Sequence, residues 1–345
     1  INAENLSDYV APYELVRQMR ASFLVLGPLL AGMGKAKVSP PGACSLGQRP
    51  VDLHIKGFRK LGAKVTEDAG YVMAECDRLD GGIFCFDRPS HTGTENIMMG
   101  AVTASGTTTI INAAMDPEVV DLAQFLNSMG ASVEGAGTPT ITIKGVKKLT
   151  AIEHTPIPDR LVAGTYMTCV AACGGHAELE NVSAEHLGIV VQKFIEMGCE
   201  INANHSRLTI KAPKRLKGVE IITIPYPGFP TDLQACFMTL AVVAEGMSRI
   251  RETVFEDRFS HTMELIRLGA KITIAGDTAA IEGVPRLTGT TVMASDIRAG
   301  AALVAAGLAA EGETVIKRIY HIDRGYENLE DGIRELGGDM AREQE

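Results

Sequence analysis

Apolar and polar positions along the chain follow a succession of blocks that returns several times. One copy shows it clearly. The β-branched run Thr107-Thr108-Thr109-Ile110-Ile111 predicts a strand. Val119, Leu122, Leu126 and Met129 then recur at spacings of three to four, on one face of an amphipathic helix. Met129-Gly130 closes that helix, and two short strands follow, Ser132 to Glu134 and Thr140 to Ile143. Each such block is preceded by a helix that is apolar nearly all round, as in Leu233 to Ala244, ending at a glycine able to take the left-handed conformation. With a strand ahead of that first helix, the order is βαβαββ.

Two markers fix the period. Leu61-Gly62, Met129-Gly130, Met197-Gly198, Leu268-Gly269 and Leu336-Gly337 place glycines 68, 68, 71 and 68 residues apart. Gly34, Gly106, Gly175, Gly246 and Gly312 recur at 72, 69, 71 and 66. A period near 70 exceeds that of common solenoid repeats, so each unit is expected to be a small α/β subdomain. The all-apolar helices should be buried and the amphipathic ones outside. Leu149 to Pro158, with two prolines and no periodicity, reads as a linker. It predicts a first domain over 1–157 with two complete units and a second over 158–345 with three. Residues 1–20 read as the tail of an earlier unit, and the chain starts at Ile1, so an array of six with its first member mostly missing is expected.

Composition narrows the class. Apolar residues make up 46% and charged residues 22%, which excludes a disordered or fibrous chain. A net charge of −9 leaves no basic surplus for nucleic acid. The longest apolar stretches, Ala21 to Met33 and Ala299 to Ala310, are too short to span a bilayer, and no signal peptide is visible. Seven cysteines without a CxxC pair read as reduced thiols in a cytoplasmic protein, with Cys76, Cys85, Cys169, Cys173, Cys199 and Cys236 in core positions. The eight histidines lack metal-ligand spacing, and neither a phosphate-binding P-loop nor a dinucleotide fingerprint is present. Neither metal nor cofactor is expected.

The repeat also picks out charges. Arg49, Arg258 and Arg324 stand just before the second helix of their units, 13, 11 and 13 residues ahead of the Leu/Met-Gly glycine. Arg20, Asp159-Arg160, Asp232 and Asp296-Ile297-Arg298 stand just before first helices. Asp159, Asp232 and Asp296 could each be an N-cap. Arginine opposes the helix dipole, so recurring arginines there predict converging sites for a small polyanion carrying phosphate and carboxylate. Cys44, in the Gly/Pro-rich loop Pro40 to Gly47 beside Arg49, is either an inert thiol or a reactive one with a lowered pKa.

The string Pro41-Gly42-Ala43-Cys44-Ser45-Leu46-Gly47-Gln48-Arg49-Pro50-Val51-Asp52-Leu53-His54 closely resembles the catalytic loop of the UDP-N-acetylglucosamine 1-carboxyvinyltransferases. Phe229 to Ala235, Glu252 to Phe259 and His321 to Glu327 resemble the same family. The resemblance implies the enolpyruvyl transferase fold, an α/β fold of two inverse α/β-barrel-like domains built from βαβαββ units. It implies transfer of the enolpyruvyl group of phosphoenolpyruvate to UDP-N-acetylglucosamine. Cys44 would be the proton donor, and Asp232 would accept or orient the hydroxyl. Arg49 and Arg324 would hold phosphate, with Arg258 and Arg298 near the carboxylate and Asp296 near the reacting carbons. Arg20, Arg49, Pro50, Val51, Asp52, Leu53 and Val254 would line the nucleotide-sugar site, with Arg88, Ser90 and His91 at its uridine end, in a segment that departs from the commoner version. The family's N-terminal Lys-Asn pair is absent, which predicts weak activity or none for this chain. A nucleotide-sugar-binding paralogue without activity, or transfer to another acceptor, would keep the same fold.

Overall fold

The computed structural model describes residues 6–17, 19–40 and 51–343. The chain forms two compact units, which meet in sequence between Ile157 and Pro158.

The first unit contains β1 (Val10–Ala11), α1 (Tyr13–Val16), α2 (Leu26–Met33), β2 (Lys35–Val38), α3 (Asp52–Lys60), β3 (Lys64–Asp68) and β4 (Tyr71–Glu75). It continues with β5 (Asp80–Cys85), α4 (His91–Ala101), β6 (Ser105–Ile111), α5 (Pro117–Ser128), β7 (Ser132–Glu134) and β8 (Thr140–Lys144). Two four-stranded sheets result, ordered β1-β2-β4-β3 and β5-β6-β8-β7, each with a parallel first pair and antiparallel neighbours after it. The βαβαββ order is therefore built as one sheet per repeat. β1 joins the first of these sheets, so residues near 10 open this repeat rather than close an earlier one. The apolar α2 and α4 pack closely because they meet at glycines. A Cβ on Gly27 would lie 2.3 Å from the Asn96 carbonyl oxygen.

The second unit contains α6 (Arg160–Ala172), β9 (His176–Glu180), α7 (Gly188–Glu196), β10 (Glu200–Asn204), β11 (Arg207–Lys211), β12 (Glu220–Thr223), α8 (Gln234–Val243) and β13 (Met247–Glu252). Then come α9 (Thr262–Arg267), β14 (Lys271–Ala275), β15 (Thr278–Glu282), β16 (Leu287–Thr288), β17 (Thr291–Met293), α10 (Ile297–Leu308), β18 (Ala310–Glu311), β19 (Val315–Lys317) and α11 (Leu329–Glu335). Its middle repeat again gives the order β12-β13-β15-β14. The outer two differ: among the described residues no strand of this unit precedes α6 and no hairpin follows α11. Helices α6, α8 and α10 pack on one another, and nine of the ten residues of α8 are buried. Replacing the fully buried Phe237 by Ala would cost about 3–5 kcal/mol.

The Leu/Met-Gly marker has one cause in all five places. Gly62, Gly130, Gly198, Gly269 and Gly337 have φ between +88° and +103°. The next N–H then donates back to a carbonyl five residues earlier, at Phe58, Leu126, Phe194, Leu265 and Ile333, over 2.9–3.0 Å. This is the closing bond of a left-handed helix cap, and the side chain at each accepting residue is buried. The second marker behaves differently. Gly34 does end α2, but Gly106 and Gly246 lie past their helices at the start of a strand, where their carbonyls accept from Gly145 and Gly283 at 2.9 Å. In the third repeat Gly174, not Gly175, is the left-handed residue. Leu149 to Pro158 carries neither helix nor strand. Two cysteines depart from the core expectation. Cys85 is exposed because strand alternation sends Phe84 and Phe86 inward, and Cys173 is exposed at the end of α6.

Candidate functional site

Cys44, Arg49 and Pro50 lie outside the described residues, as does the side chain of Arg20, whose backbone opens a short 3₁₀ turn at Arg20–Val25. The remaining candidates fall into two groups, one in each unit.

In the first unit the starts of α3 and α4 are tied together. Val51 caps α3 and is half-buried, Asp52 is exposed with Lys56 at 3.7 Å, and Leu53 is buried in the core. His54, also buried, accepts from Asn96 Nδ2 at 3.0 Å and has Thr92 Oγ1 at 3.4 Å from its Nε2. Asn96 also donates to Phe23 O and accepts from Gly27 N, so one buried amide links three helical segments. At the start of α4, Ser90 Oγ caps the helix by accepting from Gly93 N at 3.1 Å, while Arg88 is exposed in the preceding loop.

His91 pairs with Glu95 at 3.0 Å, and its other ring nitrogen lies 3.7 Å from Asp116. Burial works against its charge, but Glu95, Asp116 and Glu118 outweigh that and raise its pKa to about 9. His91, Asp116 and Glu118 also have donor atoms close enough to share a cation.

In the second unit the three helix-start aspartates separate by role. Asp159 Oδ1 accepts from Leu161 N and Val162 N at 2.8 and 3.0 Å, and Asp296 Oδ1 from Arg298 N and Ala299 N at 2.9 and 3.0 Å. Both are N-caps. Asp232 is not. It sits in a 3₁₀ turn ahead of α8, and its Oδ1 accepts from Arg258 Nη2 at 2.7 Å. Arg258 is buried, with its guanidinium 5.4 Å from the Phe255 ring centre, so it is an ion-paired interior cation rather than an open helix-start anion site.

Arg298 donates to Tyr326 Oη at 3.0 Å, and Tyr326 shares a 2.8 Å hydrogen bond with Thr165. Burial acts to lower the Arg298 pKa, but Asp232 and Tyr326 hold it above the ordinary value. Val254 is half-buried, and its N–H donates to Glu252 Oε1 at 2.8 Å, while Glu252 Oε2 accepts from Thr231 beside Asp232. Arg324 is exposed and, with Asp159, Tyr326 and Arg342, lines a surface depression of about 550 Å³.

Sequence reasoning missed three contributors. Glu252 is buried on β13 in alternation with Ile250, and an acid on an inward strand position was the available signal. His261 is buried beside Arg258 and Asp296, and burial lowers its pKa to about 4. Tyr326 lies inside the string His321 to Glu327 without a role suggested by residue type.

The sequence profile of the EPSP synthase (3-phosphoshikimate 1-carboxyvinyltransferase) family matches residues 1–333. UDP-N-acetylglucosamine 1-carboxyvinyltransferase 1 of Caldanaerobacter subterraneus subsp. tengcongensis is 54% identical over 338 residues, 98% of this chain and 81% of the relative. UDP-N-acetylglucosamine 1-carboxyvinyltransferase 2 of Carboxydothermus hydrogenoformans is 52% identical over 344 residues, 99% of this chain and 82% of the relative. Among solved structures, the enolpyruvyl transferase NikO from Streptomyces tendae superposes with a TM-score of 0.86 at 24% identity, covering 96% of this chain and 80% of its own. EPSP synthase from Acinetobacter baumannii gives 0.70 at 20% identity, covering 92% and 77%. Among the described residues no helix is long and apolar enough to cross a membrane.

Proposed function

Because the chain belongs to the EPSP synthase family, and within it to the UDP-N-acetylglucosamine 1-carboxyvinyltransferases, we propose that it catalyses the first committed step of peptidoglycan synthesis. The enolpyruvyl group of phosphoenolpyruvate passes to the 3′-hydroxyl of UDP-N-acetylglucosamine and phosphate is released. Both substrates are small and water-soluble, and the reaction is assigned to the cytoplasm.

The observation that carries the residue assignment is Asp232, which, unlike Asp159 and Asp296, is not the N-cap of its helix and accepts from a buried arginine. In this reading the Cys44 thiol gives its proton to the methylene carbon of phosphoenolpyruvate, leaving the adjacent carbon electron-poor. The 3′-oxygen bonds to that carbon as its proton passes to Asp232. The bond to the phosphate oxygen then breaks, the Cys44 thiolate takes a proton back from the new methyl group to restore the double bond, and the proton on Asp232 leaves with the phosphate. A general acid and a general base each supply about 10²–10⁴ in rate.

Arg49 and Arg324 are assigned to the phosphate, and Arg258 and Arg298 to the carboxylate. Since Arg258 already holds Asp232, it couples the base to the substrate's charge. Asp296 stands near the reacting carbons. Arg20, Val51, Asp52, Leu53 and Val254 are assigned to the nucleotide sugar, and Arg88, Ser90 and His91 to the uridine end. Leu53, being buried, would act through its backbone.

The test, run on a chain of the full length of its relatives, is phosphate release from phosphoenolpyruvate, expected only when UDP-N-acetylglucosamine is also present and crippled by Cys44→Ala. Fosfomycin should alkylate Cys44, seen as a mass increase that this variant loses. Unchanged turnover in Cys44→Ala would remove the acid assignment. Calorimetric binding of the nucleotide sugar without phosphate release would favour a binding protein over an enzyme.

A further inference from the structure

The end of the described chain returns to the Arg324 turn. Arg342 lies beyond residue 333, where the family profile stops matching. Its guanidinium donates four hydrogen bonds to two acids. Nη1 and Nη2 reach the two oxygens of Asp323 at 3.0 and 2.7 Å. Nε and Nη2 reach those of Glu330, in the first turn of α11, at 2.8 and 3.1 Å. Asp323 immediately precedes Arg324 in the chain, and Arg324 and Arg342 line the same depression.

A half-exposed ion pair contributes little by itself, because water screens it and two long side chains must be ordered. This one is different in kind. Both carboxylates are bridged by one planar fork, a network whose geometry a lysine cannot reproduce. The Glu330 carboxyl is held below its ordinary pKa by the bond from Arg342. Four of the five guanidinium donors are thus committed, so Arg342 cannot offer its own fork to an anion. Whatever it does for the depression, it does through the two acids it holds, and Asp323 is the one beside Arg324.

We propose that Arg342 is a positioning residue for Arg324: by occupying both oxygens of Asp323, it keeps that carboxylate off the neighbouring guanidinium and fixes the turn that presents Arg324 to a phosphate oxyanion. This rests on the assignment of Arg324 to phosphate made above.

The experiment titrates inorganic phosphate by calorimetry into the wild-type chain, Arg342→Ala, Arg342→Lys and the double variant Asp323→Asn/Arg342→Ala, with thermal unfolding of each. Arg342→Ala should weaken phosphate binding about tenfold. Arg342→Lys should keep most of that loss. The double variant should return to within about twofold of wild type, because the competing charge is gone. Arg342→Ala binding phosphate like wild type would overturn the proposal. So would a double variant as weak as the single one, which would reduce Arg342 to a structural clamp. A wild-type chain that does not bind phosphate would overturn the Arg324 assignment and this inference together. Binding of phosphate without turnover of phosphoenolpyruvate and UDP-N-acetylglucosamine would instead count against the enzymatic reading alone.

Discussion

The turns that carry Arg258 and Arg324 occupy matching places in consecutive repeats, 11 and 13 residues ahead of Gly269 and Gly337, yet they hold their arginines in opposite ways. Arg258 is 3% exposed, bonded to Asp232 and packed on Phe255. Arg324 is exposed, and its neighbours do the anchoring: Tyr326 inward to Arg298 and Thr165, Asp323 outward to Arg342. A buried guanidinium must be paired, because an uncompensated interior charge is costly, whereas an exposed one can also be solvated by water. One repeat position is therefore used to orient an acid from within, and the next to present a cation at the surface.

The largest expected effect separates the two turns by acid. His261 lies in the Arg258 turn with a pKa lowered to about 4 from 6.5 by burial. The unfolded chain takes up a proton that the folded one refuses, so the His261 contribution is complete above pH 6.5 and stability falls as pH drops from 6.5 to 4, by about 3 kcal/mol. Urea unfolding at several pH values should show this slope, and His261→Gln should flatten it. His321, in the Arg324 turn, is only half-buried, and His321→Gln should leave the slope nearly intact. Next in size, Arg258→Ala should cost about 2–3 kcal/mol in the same assay, while Arg324→Ala should stay within about 0.5 kcal/mol. Equal losses would erase the contrast. Smallest, Tyr326→Phe should cost about 1–2 kcal/mol by removing the hydroxyl shared by Arg298 and Thr165. It should leave the Arg258 turn untouched, so the acid slope of this variant should match wild type.

Much of the fold was legible because its repeats obey local rules. The left-handed glycine after Leu61, Met129, Met197, Leu268 and Leu336 has a short-range cause that residue type alone specifies. The period-3.6 pattern picked out α4, α6, α8 and α10 as buried helices, but α2, equally apolar, has only three of its eight residues buried. The second glycine marker was harder to interpret, since Gly106 and Gly246 answer to strand pairing with Gly145 and Gly283 rather than to a helix end. The site was less legible for the same reason. Asp159, Asp232 and Asp296 look alike in sequence, and only the distant Arg258 shows that Asp232 is not a cap. His261, Glu252 and Arg342 depend on contacts between segments that no local pattern records. Cys44 and Arg49 rest on their motif, outside the described residues.

The assignment of Asp232 is tested most directly by the turnover of Asp232→Asn, measured as phosphate release from phosphoenolpyruvate with UDP-N-acetylglucosamine, beside its unfolding temperature. The asparagine oxygen can still accept from Arg258, so the fold should persist while kcat falls about 10²–10⁴-fold. Wild-type turnover in a folded Asp232→Asn chain would contradict the account.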